Sequence, residues 1–270
     1  MSSPMRCEAG GSPAILPADD TGPAPGPTVV LLHARPTDRS MWSAHLPEFA
    51  AAGVRAIAVD LPGYGEAADR SIEPWTAVTE TLAARGVRHC VLVGNSLGAL
   101  VALQVAAVHP ELVTGLIALG YRPHEQAPSA LLQEAWDEER AALARGDIDE
   151  AVRAGVAAWT APATPEATKA SVARMLRNNL EHRRRYGDPT AGVDPLQRPG
   201  ALRSLQVPTL VAVGALDMPD FFDGGQTLAR ELGAAPLIVV PGAAHLVPLD
   251  QPVAIRRLVL EFLDTLDGRR

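Results

Sequence analysis

Short apolar runs alternate with longer mixed stretches along most of the chain. Residues 28–33 (TVVLLH), 54–60 (VRAIAVD), 89–94 (HCVLVG) and 113–120 (VTGLIALG) are brief and end at loop residues. That is the pattern of strands buried on both faces. Between them, residues 41–52, 74–85 and 97–108 have helical character. The rhythm stops after residue 120. Residues 121–199 hold no convincing strand, only helical stretches such as 130–145 and 148–158, then a basic run at His182-Arg183-Arg184-Arg185. It resumes with a strand at 209–216, a helix at 226–232, a strand at 236–240 and a closing helix at 253–266. Strands alternating with helices predict an α/β fold, a mostly parallel, doubly wound sheet. The core is expected at 28–120 and 200–270, with 121–199 as a helical cap over the C-terminal ends of the strands. Residues 1–27, rich in Pro, Gly, Ala and Asp, read as an N-terminal arm with short edge strands near Ile15 and Leu16. No internal repeat is seen.

One segment carries chemistry. Gly94-Asn95-Ser96-Leu97-Gly98 matches G-x-S-x-G, a weak pattern by itself, but here it joins a strand to a helix. A strand, a sharp turn and a helix force the serine into a strained backbone and project its hydroxyl at the sheet edge. The Leu97 amide then sits at a helix N-terminus, where its N–H and the helix dipole stabilise an oxyanion. The bland alternative is a serine that only caps the helix. A serine hydroxyl needs a base to become a nucleophile, and in this architecture the acid and then the histidine follow the serine in the chain. The later strands supply both. Asp217 follows the strand at 209–216, and His245 follows the last strand in Pro241-Gly242-Ala243-Ala244-His245. Asp220 and Asp223 are competing acids, with Asp217 favoured as the first carboxylate after the strand.

With these motifs the chain resembles the α/β-hydrolase superfamily from about residue 28 to residue 262. The resemblance rests on Leu32-His33-Ala34-Arg35-Pro36, Asp60-Leu61-Pro62-Gly63-Tyr64-Gly65, the turn at Ser96 and Gly242-Ala243-Ala244-His245. It implies the α/β-hydrolase fold and a Ser96–His245–Asp217 triad. It also implies an oxyanion hole built from the amides of Leu97 and Arg35. Within the superfamily the look is that of small-ester, enol-lactone and carbon–carbon bond hydrolases. The expected activity is hydrolysis of a small carboxylic ester or lactone through an acyl-enzyme on Ser96. The alternatives are carbon–carbon bond cleavage or a non-hydrolytic cyclase or lyase with the same triad, and a ligand-binding member in which catalysis is lost.

The family pattern is His-Gly where this chain has His33-Ala34, and Arg35 is unusual at its position. Arg35 is a candidate to bind a substrate carboxylate; the alternatives are solvent or pairing with Asp38 or Asp60. His124, Trp136 and Trp159 are further candidates for contact with substrate. His33, Asp60 and Trp42 read as structural, and the Arg183–Arg185 run reads most simply as a solvated face, with an anion site as its alternative.

Composition then narrows the class. A formal net charge of −7 argues against general nucleic-acid binding. Cys7 and Cys90 give neither a disulfide framework nor a metal pattern. Lys169 is the only lysine among 24 Lys and Arg residues, so Schiff-base chemistry has a single candidate. No Gly-rich nucleotide loop or metal-binding helix is present, and no metal or cofactor is expected. With no apolar run long enough to span a bilayer and no leader pattern, a cytoplasmic protein acting on a small molecule is the expectation.

Overall fold

Backbone pairing turns each short apolar run into a strand. The computed structural model describes residues 15–23, 26–189 and 192–268. Its strands are β1 (Ala18–Thr21), β2 (Thr28–Leu32), β3 (Arg55–Val59), β4 (Cys90–Asn95), β5 (Val113–Leu119), β6 (Thr209–Gly214) and β7 (Ile238–Val240). They form one sheet in the order β1-β3-β2-β4-β5-β6-β7, parallel throughout except for β1, which runs antiparallel to β3. Leu32 lies level with Val59 and Gly94, Asn95 with Leu119, and Gly214 with Val240. The C-terminal ends of six parallel strands therefore open onto one edge, where loops from different strands converge.

The helices are α1 (Leu46–Ala51), α2 (Pro74–Ala84), α3 (Leu97–Val108), α4 (Ala130–Ala144), α5 (Ile148–Trp159), α6 (Glu166–Tyr186), α7 (Pro219–Glu231), α8 (Val247–Asp250) and α9 (Pro252–Asp267). Alternate strand residues feed two cores. Val30, Leu32, Ile57, Val59 and Leu92 pack with α2, α3 and α7, whereas Val29, Leu31, Ala56, Ala58 and Val91 pack with α1 and α9. Both sheet faces are thus covered, which is what makes the strands apolar at successive positions rather than alternating. Among the described residues, no helix is long and apolar enough to cross a membrane.

Four expectations need correction. The edge strand is β1 rather than a strand at Ile15 and Leu16; Leu16 is instead buried in the core, its N–H donating to Thr81 Oγ1 at 2.9 Å. The first fourteen residues of the arm, with Cys7, lie outside the described residues. The expected helix over 41–52 is split into a 3-10 turn at Arg39–Trp42 and α1. A continuous helix would drive the Pro47 ring into the Ser43 carbonyl. α7 begins at Pro219, seven residues before the expected start at 226. α6, the longest helix, spans the stretch read only as a basic run.

His45 joins the first of these helices to the far end of the chain. Its Nε2 donates to the Pro248 carbonyl at 3.0 Å, its ring packs between Trp42 and Phe49, and its Nδ1 has no partner. Burial pushes its pKa down to about 4 from an ordinary 6.5. The unfolded chain therefore binds a proton between those pH values that the folded chain refuses. Stability is complete above about pH 6.5 and falls by on the order of 2–3 kcal/mol as pH drops toward 4. Denaturant titrations at pH 7.5 and 4.5 should show this loss, and His45→Gln should shrink it. An equal loss in the variant refutes the assignment.

Candidate active site

Ser96 sits between β4 and α3 with φ 56° and ψ −112°, the one non-glycine residue at positive φ among those described. Such a conformation costs a β-carbon-bearing residue on the order of 1–3 kcal/mol and persists only where its surroundings enforce it. Here they do. The Ser96 N–H donates to the Leu119 carbonyl at 2.8 Å, and its carbonyl accepts from the Ala99 and Leu100 amides. The two flanking glycines are dictated by contact: a Cβ on Gly94 would lie 2.2 Å from the Gly98 carbonyl oxygen, and one on Gly98 would lie 2.2 Å from that of Leu32. β2, β4 and α3 meet backbone to backbone, and only glycine fits at both positions.

His245 is 2% exposed and lies in the loop after β7. Its Nδ1 is 3.0 Å from Asp217 Oδ2, and the Asp217 carboxylate is fully buried. Asp217 Oδ1 accepts from the Met218 N–H at 2.8 Å, so both carboxylate oxygens are engaged. A carboxylate can only accept here, so Nδ1 carries the proton and Nε2 is the basic nitrogen. Two rings close over the imidazole, Phe221 with its centroid at 4.0 Å and Trp159 at 5.0 Å. The Asn95 side chain donates to the His245 carbonyl at 3.1 Å and to that of Leu119 at 3.2 Å, tying the histidine loop to the end of β5.

Ser96 and His245 border one cavity of about 360 Å3, lined also by Arg35, Arg122, His124, Trp136, Trp159, Arg183 and Phe221. All four expected substrate-contact residues therefore face the space in front of Ser96. The Ser96 hydroxyl is bonded to no described residue. Contacts between a nucleophile and its base commonly close only around substrate. The Leu97 amide starts α3 and has no intrahelical acceptor, and the Arg35 amide is likewise without a partner among the described residues. The turn that carries Arg35 is rigid. Thr37 donates to the Ala34 carbonyl through both N–H (3.0 Å) and hydroxyl (2.9 Å), and His33 Nε2 accepts from the Leu61 N–H at 2.9 Å. His33 Nδ1 therefore carries the proton and donates to the Ala34 carbonyl, and burial lowers its pKa. The methyl of Ala34 is buried beneath this turn.

The competing acids are placed elsewhere. Asp220 is buried and accepts from the Ser129 N–H (2.7 Å) and hydroxyl (2.5 Å), joining the start of α4 to α7. Asp223 is exposed on α7. Arg35 pairs with neither Asp38, which caps the turn at Ser40, nor Asp60, which is bound by Arg39. Trp42 is fully buried in the core.

Three residues of the site, Phe221, Arg122 and Asp250, carry no signal in the sequence, and a fourth, Arg183, stands in a run whose anion-site alternative does not single it out. Phe221 was hidden because residues 218–225 look like a loop. Arg183 was grouped with two exposed neighbours. Arg122 stacks on Trp136 at 5.5 Å. Asp250, at the end of α8, accepts from the Ala244 N–H at 2.8 Å, from the Ala161 N–H at 3.2 Å and from the Thr164 hydroxyl. With the Leu246 N–H bond to the Trp159 carbonyl (3.1 Å), this fastens the end of α5 to the histidine loop. Burial raises the pKa of Asp250 and the nearby Asp217 charge adds to it, while these bonds pull it back.

Residues 29–258 match the model of the alpha/beta hydrolase family. The pimeloyl-[acyl-carrier protein] methyl ester esterase of Edwardsiella ictaluri is 28% identical over 255 residues, covering 87% of this chain and 93% of that protein. Among solved structures, a thermophilic esterase from Thermogutta terrifontis superposes with a TM-score of 0.75 at 24% identity, covering 93% of each chain. The enol-lactonase of Burkholderia xenovorans gives 0.74 at 19% identity, covering 92% of this chain and 96% of that one. These structural likenesses establish the fold.

Proposed function

This chain belongs to the alpha/beta hydrolase family, and we propose that it hydrolyses a small carboxylic ester or lactone through an acyl-enzyme on Ser96. One observation carries the reading. A buried carboxylate fixes the tautomer of His245, whose free Nε2 belongs to a ring bordering the same cavity as a strained serine at a helix N-terminus. The esterase and enol-lactonase names among its relatives point the same way.

In the proposed cycle, Ser96 Oγ attacks the acyl carbon while His245 Nε2 takes the hydroxyl proton. The carbonyl oxygen becomes an oxyanion held by the Leu97 and Arg35 amides. Collapse breaks the bond to the alcohol oxygen, which leaves with the proton from His245. Water then adds to the acyl carbon as His245 takes one of its protons. The acid departs and the proton returns to Ser96. Asp217 stays ionised and stabilises the imidazolium at both steps. Helices α4, α5 and α6 act as a cap that keeps bulk water from the cavity.

A fluorophosphonate probe mapped by peptide mass spectrometry should give one adduct, on the peptide containing Ser96. Ester turnover in oxygen-18 water should place the label in the acid product. Well-folded protein that takes no adduct overturns the proposal.

A further inference from the structure

The walls of the Ser96 cavity are unequal in charge. Arg35, Arg122 and Arg183 line it against one carboxylate, Glu139. Arg122 is already committed: it bonds the Gln126 carbonyl, stacks on Trp136 and has Asp220 Oδ1 at 3.9 Å. Neither of the other two has a buried carboxylate beside it among the described residues. Arg35 forms no ion pair or side-chain hydrogen bond with any described residue. Arg183 is held on the face of Tyr64, its Nη2 donating to the Tyr64 hydroxyl at 3.2 Å, with only the exposed Asp188 at 3.9 Å. Its Nε is buried and unpartnered.

The two belong to one wall. The buried Asn179 on α6 donates to the Thr37 carbonyl at 2.8 Å, which seats α6 against the turn carrying Arg35. Arg183 follows Asn179 by four residues and so lies on the same helix face, one turn on. Arg35 is exposed, so water serves its donors until a ligand displaces it, whereas Arg183 keeps a buried Nε without an acceptor, which a ligand anion supplies.

We propose that Arg35 and Arg183 form a carboxylate subsite, so that the substrate is an ester or lactone that itself bears a free carboxylate, such as the half-ester of a short dicarboxylic acid. This deepens the hydrolase reading and rests on it. One carboxylate suits the pair: its two oxygens match a guanidinium fork, and its charge together with Glu139 offsets two of the three guanidinium charges in the lining. The apolar faces of Trp136, Trp159 and Leu100 take the chain between carboxylate and ester.

The test compares kcat/KM for the monomethyl and dimethyl esters of glutaric and adipic acids at pH 8. Wild type should favour the half-ester by roughly tenfold to hundredfold, the contribution of hydrogen bonds to a charged group. Arg35→Gln and Arg183→Gln should each collapse that ratio, mainly through KM for the half-ester, and Arg183→Lys should restore part of it. Free glutarate should inhibit wild type competitively and the Gln variants weakly. A wild type that prefers the diester, or a ratio unmoved in both folded Gln variants, overturns the subsite. Labelling of Ser96 distinguishes that result from a failure of the hydrolase reading, in which neither ester turns over and no adduct forms.

Discussion

Replacing Ser96 with alanine is expected to lower kcat for ester hydrolysis by roughly 10⁵- to 10⁶-fold, leaving only what the oxyanion site and binding contribute. The variant should fold as well as wild type. Alanine keeps the β-carbon that the φ of 56° strains, and the Ser96 hydroxyl makes no bond whose loss would be felt. Ser96→Gly is the informative companion. It is equally inactive, but it relieves the strain, so it should be more stable than Ser96→Ala by about 1 kcal/mol. Rates and denaturation midpoints for the pair separate the two roles of the position. Retention of more than a percent of activity in Ser96→Ala would place the nucleophile elsewhere. Equal stability of the two variants would remove strain from the account of this turn.

The strain also explains why the core was legible in the sequence. A positive φ at a non-glycine residue needs close packing on both sides, and the glycines at 94 and 98 announce that packing. Asp217 and His245 were legible for a related reason. Parallel strands end at one edge, so polar residues just beyond β6 and β7 arrive where Ser96 does. What the sequence hid lies where pattern and packing part company. The buried face of α6 is Val172, Met175, Leu176, Asn179 and Leu180, a stripe interrupted by a polar residue and surrounded by charges. Asn179 is buried because it bonds a carbonyl 142 positions away, which no local window contains. The same bond sets the helix phase that turns Arg183 inward and leaves Arg184 and Arg185 exposed. The start of α7 was disguised by Pro219 and by Gly224 and Gly225. Those glycines admit the Tyr121 carbonyl and the Leu237 side chain, which pack against the helix. β1 carries Ala-Asp-Asp-Thr, a polar run without apolar alternation that joins the sheet edge through its backbone and through the Asp20–Arg55 ion pair to β3.

Asp217→Asn is expected to cost about 10⁴-fold in kcat while leaving the fold intact. The reason lies in the second oxygen. Asp217 Oδ1 accepts from the Met218 N–H at 2.8 Å, and an asparagine must keep its carbonyl oxygen there or leave a buried amide unpaired. Its NH2 group then faces His245 Nδ1, where the carboxylate had been 3.0 Å away. A donor at that point requires a lone pair on Nδ1 and moves the ring proton to Nε2. The nitrogen that should take the Ser96 proton is then already protonated. The imidazolium formed during attack also loses its counter-charge. Asp220→Asn is the control. Asp220 bonds Ser129 at the start of α4 rather than His245. Its loss should lower stability by about 1–2 kcal/mol through the helix cap. It should change kcat by less than about tenfold, roughly three orders below the loss expected for Asp217→Asn. Steady-state kinetics and chemical denaturation of both variants decide between the two acids. A larger kcat loss in Asp220→Asn than in Asp217→Asn would move the histidine's partner to α7 and overturn the assignment made from the short contact to Asp217.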